Sequence, residues 1–440
     1  MRRISPWGVR LTTASRALAI LLILACSFAF APSCSAYSEL THEAVVDAAW
    51  DVAIRPLLLQ RFPNATGPEL RTAHAYAYGG SVIQDMGYYP FGSRLFTNLA
   101  HYVRSADFVN ALLRDSQNLN DYAFALGALS HYVADNDGHD LAVNVSVPVL
   151  YPKMRKKYGD WVTYDQNPAD HLRTEFGFDV LQIARSRYAP DDYQDHIGFQ
   201  VARPLLEKAF QETYGLKLDS VFTNLNLAIS TYRRGVSEVI PNMTKVAWQI
   251  KKDEIRQEIP GVTRQEYLYH LSRASYNQHW SKEYKQPGIG SKILAFLIRI
   301  VPKLGPFSAL AFRTPTPKTE QFFMASFNAS LRDYEKDIHS EAANANPGIT
   351  NDNLDMGRIA APGEYPLADK TYAELLHQLA RTHFAQVTPE LRGDLLAFYG
   401  DPGAPNTMRK KKKEWRKVTA EVAALKAFTP NPGAAVASPK

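Results

Sequence analysis

Apolar positions along this chain recur at helical rather than strand intervals. Between His42 and Phe62 they fall at Val45, Val46, Ala49, Trp50, Ile54, Leu57 and Leu58, which gathers them on one side of a helix. The same period runs through Asp121 to Val133 and Ala202 to Thr213, and strand-like alternation is scarce. Pro, Gly and Asn mark the breaks, as in loops that join helices. Asn118 or Asn120 is placed to cap the central helix. The pattern predicts an all-α helical bundle from Ser38 to about Ile240, an architecture that builds metal centres from side chains on facing helices.

Beyond about Trp248 the character changes. Ile293 to Ile298 is strongly apolar but is interrupted by Arg299, Pro302, Gly305 and Pro306, so it is too short to span a bilayer. It reads as a buried helix of a second subdomain. The alternative is an interfacial wedge flanked by Lys292, Arg299 and Lys303, which would suit a lipid substrate. Asn344 to Pro366 reads as an irregular loop, and the basic run Arg409 to Lys413 as solvated surface or, alternatively, a headgroup contact. The expected division is an export signal over 1–36, a helical domain over 37–247, a mainly helical C-terminal region over 248–427 and a disordered tail over 428–440.

The leader rests on Arg2, Arg3, Arg10 and Arg16 before the short apolar run Ala17 to Ala25, with small residues around Cys34-Ser35-Ala36. Cleavage after Ala36 predicts a secreted or periplasmic protein. Ile23-Leu24-Ala25-Cys26 offers a rival lipoprotein site at Cys26. Loss of four arginines takes the formal charge from +6 to about +2, which argues against a general nucleic-acid or anionic-membrane binder driven by charge alone; no specific nucleic-acid binding is expected. Both cysteines, Cys26 and Cys34, lie in the leader, so disulfides and thiolate-zinc sites are excluded from the processed chain.

The chemistry concentrates in two short stretches. Ser130 to His139 places His131, Asp135 and His139 at four-residue steps, and Asp170 to Glu175 places His171 and Glu175 at another. Residues four apart share a helix face, so each pair can aim two ligand atoms at one ion. Imidazole and carboxylate without thiolate is the donor set of a catalytic zinc site. The chain reads as a metal-dependent hydrolase.

Over roughly Tyr37 to Phe222 the sequence resembles the zinc-dependent phospholipase C family, whose fold is shared with single-strand-specific zinc nucleases. The resemblance implies an all-helical core holding three zinc ions. Tyr37, exposed by cleavage after Ala36, would offer its amine and carbonyl, with His42 as imidazole partner. Asp85 and His101 match the next two ligands. His131 and Asp135 match the family's His-x-x-x-Asp step, with Asp135 bridging two ions, and His139, His171 and Glu175 would hold the remaining zinc. The connection from Asp135 to His139 is two residues shorter than in the family. Gly138 is expected to turn the chain and restore the aim of His139, with Asp137 or Asp140 as substitute oxygen ligands otherwise.

A free α-amine, with pKa near 7.7–8.0, can lose its proton to a metal at neutral pH, so the full site is expected to assemble only after processing. By resemblance Asp85 is both ligand and catalytic base. Glu175 as the final ligand leans towards phospholipase C acting on glycerophospholipid at a membrane surface. The alternatives are a single-strand-specific zinc nuclease, which would want aromatic stacking platforms, and a non-catalytic surface protein stabilised by zinc in a closed coordination shell. Tyr88, Tyr89 and Phe91 read either as walls of the substrate mouth or as ordinary core aromatics. His74 and His196 have no place in the family order and read as packing residues or as groups that orient a ligand.

Overall fold

The computed structural model describes residues 39–185, 199–236, 240–264, 309–343, 347–401 and 403–430. Expectations for the leader, Cys26, Tyr37, His196, the apolar segment at 293–298 and the end of the tail lie outside them. Among the described residues the secondary structure is helical, with one isolated bridge between Asn353 and Arg358. The expected all-α bundle with a mainly helical C-terminal extension is what the described residues form.

The first helix, α1 (Glu39–Ala49), buries Val45, Val46 and Ala49. The periodic run to Phe62 is one path with a wide turn in it: a π-helical segment at Trp50–Ile54 precedes a helix over Arg55–Arg61. Pro56 explains the widening, because it has no N–H to give to the preceding turn.

Helix α2 (Gly67–Ser81) starts with a capping box in which Thr66 N donates to Glu69 Oε2 at 2.8 Å. Helix α3 (Arg94–Tyr102) follows, and then the central α4 (Leu119–Gly138). Asn118 caps α4, its side-chain oxygen accepting from Asn120 N and Asp121 N at 3.0 Å each. A Cβ on Gly80 would lie 2.0 Å from Phe124 O, and one on Gly127 2.0 Å from Ala77 O. Only glycine lets the α2 and α4 backbones meet this closely, and the contact brings the Ser81 carbonyl beneath His131.

Helix α5 (Pro168–Ala184) is capped by Asn167 and carries His171 and Glu175 on a buried face. The C-terminal elements return to these helices. Helix α6 (Pro317–Ala342) lies along α4, with Tyr334 donating to Leu126 O at 2.8 Å and Tyr122 to Glu341 Oε1 at 3.1 Å. Helix α7 (Pro366–Arg381) packs on α3. Leu126, Phe323, Leu354 and Leu425 share one contiguous buried apolar core. No helix among the described residues is long and apolar enough to cross a membrane.

Candidate metal centre

Asp135 is the hub of the site. It is fully buried on α4, with His131 one turn before it. Its Oδ2 lies 3.1 Å from His131 Nε2 and 3.2 Å from His101 Nε2, and its Oδ1 lies 3.4 Å from His42 Nε2. The two oxygens thus face different groups of imidazoles, the disposition a bridging carboxylate needs. On the other side of His101, Asp85 Oδ1 approaches Nε2 to 3.3 Å. Two triads, His42–His131–Asp135 and Asp85–His101–His131, each bring one ligand atom per residue within 4.8 Å of one another.

The backbone dictates which nitrogens are offered. His101 Nδ1 sits 2.8 Å from Thr97 O, and His131 Nδ1 sits 3.0 Å from Ser81 O. A carbonyl only accepts, so both Nδ1 atoms carry the proton and both Nε2 lone pairs point into the cluster. Orienting contacts of this kind accompany metal-ligating histidines.

Further along α4, His139, His171 and Glu175 are neighbours, but among the described residues only the two triads bring three ligand atoms within 4.8 Å of one another. After Gly138 the helix passes into a π-helical segment, His139–Val143. Gly138 has φ −64° and ψ −46°, inside the helix. The expected turn at this glycine is therefore absent; the helix continues and widens, keeping His139 at the fourth position after Asp135 and only 1 % exposed. Wide turns of this kind often occur at functional sites. The His139 and His171 rings stack with centroids 5.0 Å apart. His171 Nε2 lies 2.8 Å from Asn144 Oδ1, and Asn144 Nδ2 donates to Asp355 O at 2.8 Å, which sets the amide's orientation. Hence His171 Nε2 carries the proton, and Nδ1 faces Glu175 Oε1 at 2.8 Å.

The proposed substitutes for His139 are placed elsewhere. Asp137 faces Ser330 and Asp333 on α6, and Asp140 lies beside Arg358. Tyr88 is 6.3 Å from His101 between ring centroids, Tyr89 donates to Glu39 Oε1 at 2.5 Å, and Phe91 is 48 % exposed. His74 is stacked between Trp50 and Tyr78 and bonded to Asp47 at 3.1 Å, a packing role.

The electrostatics are those of a site built around positive charge. Burial pulls His101 down, but the carboxylates of Asp135 and Asp85 outweigh it and hold the imidazole well above its ordinary range. Burial pushes Asp135 up, and the imidazoles of His131, His101 and His42 bring it well below the usual carboxylate range. Burial lowers His42, as does neighbouring His131. Burial and His139 push His171 well down. Glu175 is raised well above normal by burial and by Asp135, Asp85 and Asp355. Both oxygens of Asp135, both ring nitrogens of His139 and Glu175 Oε2 are buried with no hydrogen-bond partner. Buried polar atoms are rarely left so, and a divalent cation would satisfy them. Nitrogen and oxygen donors without sulfur fit zinc.

Several contributors were invisible to spacing rules. The carbonyls of Ser81 and Thr97 and the Asn144 amide act through tertiary placement. Asp355, whose Oδ1 lies 3.5 Å from His139 Nδ1, comes from the stretch expected to be irregular loop, where no periodic signal marks it.

No curated protein and no solved structure matches the chain. Residues 41–224 match the family model described as zinc dependent phospholipase C. That stretch contains His42, Asp85, His101, His131, Asp135, His139, His171 and Glu175, and ends before the segment that carries Asp355. Over residues 41–224, then, the chain matches the zinc-dependent phospholipase C family.

Proposed function

We propose that this chain is an exported phospholipase C that hydrolyses glycerophospholipid to diacylglycerol and a phosphorylated headgroup, using three zinc ions. The observation that carries the reading is Asp135, buried within the matched stretch, with one oxygen towards His42 and the other towards His101 and His131. His42 and Asp135, with the amine of Tyr37 after cleavage behind Ala36, would hold one ion. Asp85, His101, His131 and Asp135 would hold the second, and His139, His171 and Glu175 the third. Bound zinc supplies Lewis acidity to the phosphoryl oxygens and lowers the pKa of water. The chain's own part is to hold these donors in fixed tautomers and to take up a proton, for which Asp85 is the candidate acceptor. Glu175 as a ligand in the HisxxxGlu step supports the phospholipase reading over the nuclease one.

The test is diacylglycerol release from phosphatidylcholine vesicles, run beside cleavage of single-stranded DNA, with wild type and Asp85→Asn. Lipid hydrolysis that falls at least about a hundredfold in the variant supports the assignment, on the scale of losing a positioned acid–base group. DNA cleavage without lipid hydrolysis would replace it with the nuclease reading.

A further inference from the structure

Segment 350–358 is fastened across the His139 end of the site by bonds to three different helices. Ser105 Oγ donates to Asp352 O at 2.6 Å, Tyr132 O–H to Thr350 O at 2.6 Å, and Asp107 N to Asn351 Oδ1 at 3.0 Å. Leu354 N donates to the carbonyl of His101 itself at 3.0 Å. Gly357, at φ +65°, lies so close to α4 that a Cβ there would be 2.9 Å from Asn136 O. So much fastening presents one side chain, Asp355, 2 % exposed, to the site. Its Oδ2 accepts from Tyr102 O–H at 3.0 Å and from Tyr365 O–H, which leaves Oδ1 aimed at His139 Nδ1.

We propose that Asp355 is an additional carboxylate ligand of the ion held by His139, His171 and Glu175, so that the C-terminal region completes the metal site from outside the family-matched domain. The inference rests on the zinc-binding part of the function proposed above. The unpartnered ring nitrogens of His139 point to a ligand at Asp355, whereas His171 and Glu175 stand at ordinary hydrogen-bond distance, 2.8 Å. Oδ1 is 3.5 Å from Nδ1, beyond the 2.7–3.2 Å usual for an N–H···O bond, and neither ring nitrogen of His139 has a hydrogen-bond partner. Two donors on one tetrahedral zinc at bond lengths near 2.0–2.1 Å stand about 3.3 Å apart. Contacts among His42, Asp85, His101, His131 and Asp135 run from 3.1 to 3.4 Å. At 3.5 Å, Asp355 Oδ1 and His139 Nδ1 stand just outside that series, near enough for one cation to draw both donors onto it. The oxygen expected from Asp137 or Asp140, to make up for the short connection before His139, comes from Asp355 instead.

The experiment is zinc content by native mass spectrometry, and zinc affinity by titration calorimetry, on the processed full chain as wild type, Asp355→Ala, Asp355→Asn and Tyr102→Phe/Tyr365→Phe. The expected result is that both Asp355 variants lose one zinc equivalent, or bind it at least about tenfold more weakly, with the remaining ions unchanged. Asparagine still accepts from both phenols, so its loss of zinc would not come from a broken scaffold. The double phenylalanine variant keeps the carboxylate and should keep every ion. Full zinc retention by Asp355→Asn, with loss only in Asp355→Ala, would make Asp355 a hydrogen-bond acceptor and overturn the ligand assignment. Retention in both would remove it from the site altogether. A wild-type chain without zinc would overturn the functional reading as well.

Discussion

At the scale of single residues, the site depends on acceptors that decide which nitrogen each histidine offers. Asn144 is the clearest case, since its oxygen holds His171 Nε2–H while its amide is pinned by Asp355 O. Replacing it by leucine, of similar size, leaves that N–H without an acceptor. Asn144→Leu is expected to weaken one zinc by about 10–100-fold while the others stay bound, read by competition with a chromogenic chelator. Unchanged affinity at every site would show that His171 does not bind metal through Nδ1.

Asp394 gives a pH-dependent prediction away from the site. Its carboxyl is raised from 3.8 to about 6, by burial first, against the pull of Arg104, and its Oδ2 has no hydrogen-bond partner. Because the folded state holds this proton more tightly than the unfolded chain, the contribution is complete below about pH 3.8. It is lost as pH rises to about 6 and is flat above. Asp394→Asn removes the titration. Relative to wild type, the variant should gain about 2–3 kcal/mol between pH 4 and pH 7, from roughly two pKa units at 1.36 kcal/mol each. Urea unfolding at both pH values reads this, and a difference that does not change with pH would refute it.

At the scale of elements, α4 is the ruler of the molecule. It carries His131 and Asp135 on one face and places His139 one ordinary turn further on, just where the helix begins to widen. Its register against α2 rests on Gly80 and Gly127, where each backbone touches the other. Gly127→Ala would force the helices apart, at a cost of about 1–3 kcal/mol for an overpacked contact. It would also move Ser81 O from His131 Nδ1, now 3.0 Å away. The expected outcome is a lower melting temperature together with weaker zinc binding. A fall in stability with zinc binding intact would mean that the α2–α4 contact does not set the site's geometry.

At the scale of the whole molecule, the C-terminal region is part of the same core as the helices that carry the candidate ligands, through Phe323, Tyr334, Leu354 and Leu425. Metal and fold should therefore be linked throughout the chain. Zinc present at a hundred times its dissociation constant adds about 2.7 kcal/mol per site to the folded state. Removal with a chelator should lower the melting temperature, and added zinc should restore it. Hydrogen exchange should rise on chelation in segment 350–358 as well as in α4 and α5. If exchange rises in the helices alone, the segment is not coupled to the metal.

Much of this was legible along the chain because a helix turns distance in sequence into direction in space. Residues four apart share a face, so His131 with Asp135 and His171 with Glu175 are readable as donor pairs before any fold is known. Apolar periodicity likewise marks α1 and α4, and Asn118 marks where α4 starts. The length of the turn after Gly138 was not legible, because glycine permits a break without requiring one, and the packing around His139 chose continuation. Nor was the meeting of His42, Asp85 and His101 over Asp135 derivable from spacing; only likeness to the family suggested it. Asp355 is the extreme case. It lies in an aperiodic stretch, and its place beside His139 comes from hydrogen bonds to Ser105, Tyr132, Asp107 and His101, partners that local sequence does not encode. The helices and the kinds of donor they carry are written along the chain, because both follow from local geometry. Which donors converge, and which loop joins them, was decided by tertiary packing, because convergence depends on long-range contacts.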